Sequence, residues 1–177
     1  MCNLVASNAP RFDAAAFVAG DPEPQRVTLE SYEGKWLVLF FYPRDFTFVC
    51  PTELQAFADL APAFAEEHAS LIAVSTDSYW SHRAWFESHP LLGGVTYPVI
   101  ADTTQRFASD YGVLGADGSA LRATFIIDPR GVVRHATVSD QNVGRSPHET
   151  LRVLQALRTG ALCPVSWRKG EPTLRAA

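Results

Sequence analysis

Hydrophobic and polar positions along this 177-residue chain fall into blocks that switch between strand and helix period. Residues 35–42 form a continuous apolar, β-rich run closed by Pro43, the pattern of a central strand covered on both faces. Beyond it, Leu54, Phe57, Leu60 or Ala61, and Phe64 recur at helical spacing. Pro51 suits the first helical position and Glu53 the acid-favouring first turn, so a helix is predicted to begin at Cys50. Pro62 lies inside that pattern without a backbone donor, and a kink or an early end is expected there. Residues 71–75 predict a second buried strand, and residues 79–89 a helix with Trp80, Ala84 and Trp85 inward. Residues 97–101 read as a short strand and 103–111 as a short helix closed by Gly112. Residues 123–128 read as a strand that an Asp128-Pro129-Arg130-Gly131 turn joins to 132–138 as a hairpin. Ser146, Pro147 and Glu149 make a capping box that opens an amphipathic helix with Leu151, Leu154 and Leu157 on its apolar side, ended by Gly160. Residues 21–24 read as a turn-rich connector.

Alternating βα units that end in a hairpin and a helix imply an α/β domain with a mixed, largely parallel sheet and helices on both faces, the arrangement of the thioredoxin-like fold. The length fits one domain of about 100–200 residues. Residues 1–160 are assigned to it and 161–177 to a C-terminal tail. That tail has no period, carries Pro164, Gly170 and Pro172, and needs a surface to lie on.

Composition narrows the function. With 47% apolar and 19% charged residues the chain buries a core. Fifteen basic against nineteen acidic residues leave a net charge of −4, and no run of Lys or Arg concentrates positive potential, so nucleic acid is excluded as a partner. The longest apolar block, residues 36–42, is far short of the roughly 18–20 residues that span a bilayer. The N-terminus, MCNLVASNAP, lacks a basic stretch followed by an apolar one, which points to a soluble, cytoplasmic protein.

Three cysteines, Cys2, Cys50 and Cys163, fit neither a disulfide scaffold nor a four-ligand zinc site. His68, His82, His89, His135 and His148 show no metal-ligand spacing and most of them read as surface or cap residues, so no metal is expected. No glycine-rich phosphate loop or nucleophile elbow occurs, and no cofactor is expected. The residue three after Cys50 is Glu53, which removes a Cys-x-x-Cys oxidoreductase.

The chemistry concentrates in residues 41–53, FYPRDFTFVCPTE. A cysteine in the first turn of a helix faces unpaired amide donors and the positive end of the dipole, which favour the nucleophilic thiolate over the thiol. A cysteine among Phe46, Phe48 and Val49 is also open to the plainer reading of a buried small hydrophobe.

The Pro43-x-x-x-Thr47-x-x-Cys50 spacing, the continuation Pro51-Thr52-Glu53, and Arg122 shortly before the strand FIID together resemble a typical 2-Cys peroxiredoxin. The likeness extends to VSTDSYWSHRAW at 74–85, YGV at 111–113, GRSPHETLRVLQAL at 144–157 and LCPVSW at 162–167, the last resembling a resolving-cysteine motif. The approach to Cys163 and the ending WRKGEPTL resemble the peroxidase subunit of alkyl hydroperoxide reductase, the AhpC branch.

The resemblance implies a thiol-dependent peroxidase acting on hydrogen peroxide, small organic hydroperoxides and peroxynitrite, in antioxidant defence. It makes Cys50 the peroxidatic thiolate, Thr47 a hydroxyl for the thiol proton or the peroxide, Pro43 a shield against water and Arg122 the fixed positive charge. Cys163 would resolve the sulfenic acid as an intersubunit disulfide in a head-to-tail homodimer, with local unwinding around Cys50. The dimers would assemble into a decamer or dodecamer ring. Electrons would come from thioredoxin, an AhpF-like flavoprotein or an AhpD-like dithiol adaptor. Two alternatives stay open: a holdase chaperone or peroxide-relay ring, and a one-cysteine mechanism. Cys2 receives no role. The chain departs from its relatives at Ala123, where many carry glycine, and at Val165, where some carry a further cysteine. Residues 92–95, LGGV, only partly echo the Gly-Gly-Leu-Gly loop of over-oxidation-sensitive relatives, and nothing after Thr173 echoes their Tyr-Phe helix. Resistance to inactivation by peroxide is therefore expected.

Overall fold

The strand β3 (Trp36–Phe41) organises the molecule, because its two faces feed two separate apolar clusters. Val38 and Phe40 point to one side, and Leu37, Leu39 and Phe41 to the other, which is why the sequence there is apolar at every position rather than alternating. The computed structural model describes residues 4–175; Cys2 lies outside them.

Around β3 stand β1 (Asp13–Phe17), β2 (Gln25–Thr28), β4 (Ala69–Ser75), β5 (Val99–Ala101), β6 (Arg122–Ile127) and β7 (Val133–Ser139), in the order β2-β1-β5-β4-β3-β6-β7. The helices are α1 (Cys50–Asp59), α2 (Ala61–Glu66), α3 (Tyr79–Ser88), α4 (Arg106–Asp110) and α5 (Pro147–Thr159). The fold is a thioredoxin-like α/β sandwich with a mixed sheet. It is not a largely parallel one: only β3–β4 and β4–β5 run parallel, while β1–β2, β1–β5, β3–β6 and β6–β7 are antiparallel. Two of the antiparallel pairs come from the β1–β2 hairpin, which the sequence reading treats as featureless apart from its 21–24 connector. Its first strand, DAAAF, offers alanines where strand-forming residues would be expected.

One face carries α1, α2, α3 and α5 through Leu54, Phe57, Phe64, Tyr79, Trp85, Phe86 and Leu154; the other carries α4 through Phe107 and Ala108. Pro62 acts as expected, since α1 ends at Asp59 and α2 restarts with the proline in its first turn, where no donor is missed. The inward face of α3 differs from expectation: Trp80 and Ala84 are exposed, and Tyr79, His82, Trp85 and Phe86 are buried. His82 is thus neither a surface nor a cap residue. Ser146 accepts from the Glu149 amide at 3.3 Å, and Gly160 ends α5 with φ +64°.

Residues 161–175 find their surface on α5 and beside α2. Leu162 and Leu174 pair across a short bridge, and Trp167 is buried, its ring nitrogen donating to the Glu171 carbonyl at 3.0 Å. Glu67 gathers Gln155, Arg158 and Lys169, so α5 and the tail converge on one carboxylate. No helix among the described residues is long and apolar enough to cross a membrane.

Phe57 is fully buried and stacks on Phe40 at 4.1 Å. Phe57→Ala is expected to lower unfolding free energy by about 3–5 kcal/mol, read from the midpoint of urea denaturation at unchanged slope.

Candidate active site

The carboxyl end of β3 delivers residues 42–49 to the edge of the sheet, and α1 begins at Cys50. Val49 supplies no side-chain cap; the Thr52 and Glu53 amides return to the Val49 carbonyl, and the Thr52 hydroxyl donates to it at 2.7 Å. Cys50 is fully buried at this helix start.

Pairing of β3 with β6 sets Phe41 opposite Ala123, which brings Arg122, one residue earlier, alongside the start of the loop. Arg122 is buried and its Nη1 donates to Cys50 Sγ at 3.4 Å and to Glu53 Oε2 at 2.5 Å, while its Nε donates to the Gln141 carbonyl at 2.7 Å. Sequence reasoning placed Arg122 and Cys50 together, and the geometry does so.

It overlooked the group that holds them. Glu53, buried, accepts from the Arg145 amide at 2.7 Å and from its guanidinium at 2.8 and 2.9 Å. The remaining Arg145 nitrogen donates to the carbonyls of Phe41 and Ala123, both at 2.7 Å, which ties β3 to β6 at the site. Burial by itself pushes the Glu53 carboxyl up, but the hydrogen bonds and charge of Arg145, then the charge of Arg122, outweigh it and hold the group below the usual glutamate value. Two guanidiniums against one carboxylate leave an excess positive charge beside the sulfur, an arrangement that stabilises an anionic sulfur and developing negative charge on a bound oxygen.

The loop is fixed from below. Asp45, buried, accepts from the Tyr42 hydroxyl at 2.7 Å, from Ser81 at 2.8 Å and from His82 Nδ1 at 2.8 Å, and its amide donates to Asp77 at 3.0 Å. Burial, then the Asp45 charge, keeps the Tyr42 hydroxyl well above its ordinary pKa, so it stays a donor. With Asp45 held, Pro43 is buried, Phe46 takes φ +54°, unusual for a bulky residue, and the Thr47 hydroxyl donates to the Arg44 carbonyl at 2.9 Å. The Thr47 oxygen retains lone pairs to accept a proton. Phe46 and Phe48 are 62% and 93% exposed and flank the loop rather than fill the core.

Cys163 stands elsewhere. Its Sγ donates to the Ala156 carbonyl at 3.7 Å and lies 3.4 Å from the Thr159 hydroxyl, at the C-terminal end of α5. Arg145, on Glu53, precedes the N-terminal end of the same helix. Thirteen residues separate the two ends by about 20 Å, against the roughly 7 Å limit on Cα separation in a disulfide.

Comparison with known proteins places the chain in a family. The AhpC/TSA family pattern matches residues 5–136. Alkyl hydroperoxide reductase C of Mycolicibacterium smegmatis is 42% identical, covering 94% of this chain and 91% of its own. The mitochondrial thioredoxin-dependent peroxide reductase of Bos taurus is 45% identical over 97% of this chain and 69% of its own. The reduced 2-Cys peroxiredoxin of Plasmodium vivax superposes with a TM-score of 0.92 at 38% identity, covering 97% of this chain and 93% of that one. The chain belongs to the AhpC/TSA family and is a typical 2-Cys peroxiredoxin. It is a thiol-dependent peroxidase that reduces peroxides.

Glu53→Gln leaves two buried guanidiniums without their carboxylate and is expected to cost about 3–5 kcal/mol at neutral pH. Because the Glu53 pKa is depressed in the fold, its stabilisation is complete above the unfolded glutamate value and is lost as pH falls through the lower, native value. The melting-temperature gap between parent and variant should therefore close only below the ordinary carboxylate range, as measured by calorimetry across pH 2.5 to 7.

Proposed function

We propose that Cys50 is the peroxidatic residue of this peroxidase, acting with Arg122, Thr47 and Pro43, and that Cys163 resolves it across a dimer. The supporting observation is the Arg122 guanidinium 3.4 Å from the buried sulfur. In the first step the Cys50 thiolate attacks the terminal peroxide oxygen. An S–O bond forms, the O–O bond breaks, and the departing alkoxide or hydroxide takes a proton to leave as alcohol or water. Thr47 accepts the thiol proton or bonds the peroxide, Arg122 stabilises the charge that spreads over the breaking bond, and Pro43 keeps bulk water away. Full burial of Cys50 favours small oxidants: hydrogen peroxide, small hydroperoxides and peroxynitrite.

In the second step a Cys163 thiolate attacks the sulfenic sulfur, an S–S bond forms and water leaves. The separation of the two cysteines along α5 favours a partner subunit as the source. Strand β7 ends the sheet, its start at Val133 covered by Ala6 and Ser7, and its remaining edge is the place for a head-to-tail homodimer; decamer or dodecamer rings belong to the same reading. The uncapped first turn of α1 suits the unwinding that disulfide geometry requires. Turnover then consumes dithiol equivalents from thioredoxin, an AhpF-like flavoprotein or an AhpD-like adaptor, which suits a reducing compartment such as the cytoplasm. In this reading residues 1–160 form the peroxidase domain and 161–177 the tail that carries the resolving thiol.

Cys50→Ser is expected to abolish peroxide reduction. One equivalent of peroxide should produce a dimer band on non-reducing electrophoresis that Cys163→Ser eliminates; a band that persists, or a monomeric disulfide, contradicts the reading.

The same uncapped turn, with only LGGV at 92–95, favours rapid resolution over further oxidation. Activity is expected to survive repeated turnover at millimolar peroxide without sulfinic Cys50 in the mass spectrum.

A further inference from the structure

The oxygen acceptor at Thr47 and the donor at Arg122 must face the same peroxide, yet they stand on different segments. The β3–β6 pairing fixes Phe41 against Ala123, but Thr47 lies six residues past that anchor. A run of hydrogen bonds spans the gap. Thr47 Oγ1 donates to the Arg44 carbonyl at 2.9 Å, and Arg44 Nη2 donates to Asp117 at both its carbonyl, 2.9 Å, and its Oδ2, 3.3 Å. Ser119 Oγ donates to Asp117 Oδ1 at 2.7 Å and accepts from Gln141 Nε2 at 2.8 Å. The Gln141 carbonyl accepts from Arg122 Nε at 2.7 Å, which returns to the guanidinium that touches Cys50.

The turn that carries this run is built for one shape. The Gly115 amide donates to the Ser119 carbonyl at 2.7 Å, and a Cβ on Gly115 would stand 3.0 Å from that carbonyl and 3.1 Å from Asp117 Oδ1. Gly118 takes φ +77°, a left-handed conformation that a side chain would strain. Ser119 is fully buried, so its hydroxyl depends on Asp117 and Gln141 for its partners. The Ser119 hydrogen bonds, reinforced by Arg44, hold the Asp117 carboxyl down at about 2, charged throughout the working range.

We propose that Arg44, Asp117, Ser119 and Gln141 are positioning residues: a hydrogen-bonded strut around the rim that sets Thr47 against Arg122 so that one peroxide meets both. This deepens the assignment of Cys50, Thr47 and Arg122 and rests on it. The Arg44–Asp117 link adds little to global stability, since the two side chains are 50% and 51% exposed and such pairs are weak. Its effect falls on alignment, where small displacements cost rate.

The test compares two reactions of the same thiol in Arg44→Ala, Asp117→Asn and Gln141→Ala. Stopped-flow oxidation by hydrogen peroxide needs Thr47 and Arg122 aligned; alkylation of Cys50 by iodoacetamide, followed by mass spectrometry, needs only the thiolate. These variants leave the buried Ser119 hydroxyl an acceptor and should melt within about 3 °C of the parent, lose about fivefold in the peroxide rate constant and stay within about twofold in alkylation. Peroxide rates within about twofold of the parent overturn the strut, as do parallel losses in both reactions. A parent whose peroxide consumption survives Cys50→Ser would instead overturn the site assignment, and the strut with it.

Discussion

The buried carboxylate of Glu53 between Arg122 and Arg145 is the contact on which the rest of the site depends. It joins α1, the start of β6 and the segment before α5 at a single point, and each guanidinium spends its other nitrogens on carbonyls of the strands or of the loop that follows them. A buried ion pair of this kind is a weak source of net stability because desolvation offsets most of the attraction. Its effect is positional: one carboxylate cannot neutralise two guanidiniums, and the residual charge is delivered beside a sulfur at a helix start, where the helix dipole has the same sign.

Much of this was legible in the sequence. The β3 run, the helix opening at Cys50 with Pro51 behind it, the break at Pro62 and the Ser146 cap all follow from local chemistry and stand where expected. Arg122 was legible from its place before an apolar strand in a recognisable motif. Arg145 carried a signal that went unread: a cation immediately ahead of the N-cap of α5, where the helix dipole disfavours it, is a local misfit of the sort that marks a functional site.

Two features escaped for physical reasons. The β1–β2 hairpin is built from alanines and short polar stretches, so packing against β5 decides it rather than propensity. In α3 the spacing Tyr79, His82, Trp85 and Phe86 defines the inward face, but histidine counts as polar in any periodicity argument and Trp80 attracts the assignment instead. Only the partner, Asp45, thirty-seven positions earlier, makes the buried ring acceptable.

The convergence of Gln155, Arg158 and Lys169 on Glu67 carries a consequence for the cycle as a whole. Lys169 is largely solvated, so its attraction to that carboxylate is feeble, and the buried Trp167 is the firmer hold on the C-terminal stretch. In the proposed cycle that stretch must lift; Glu67 would keep Arg158 and Gln155 meanwhile, and once the reductant has reopened the disulfide the place left by the lysine would receive the chain end again.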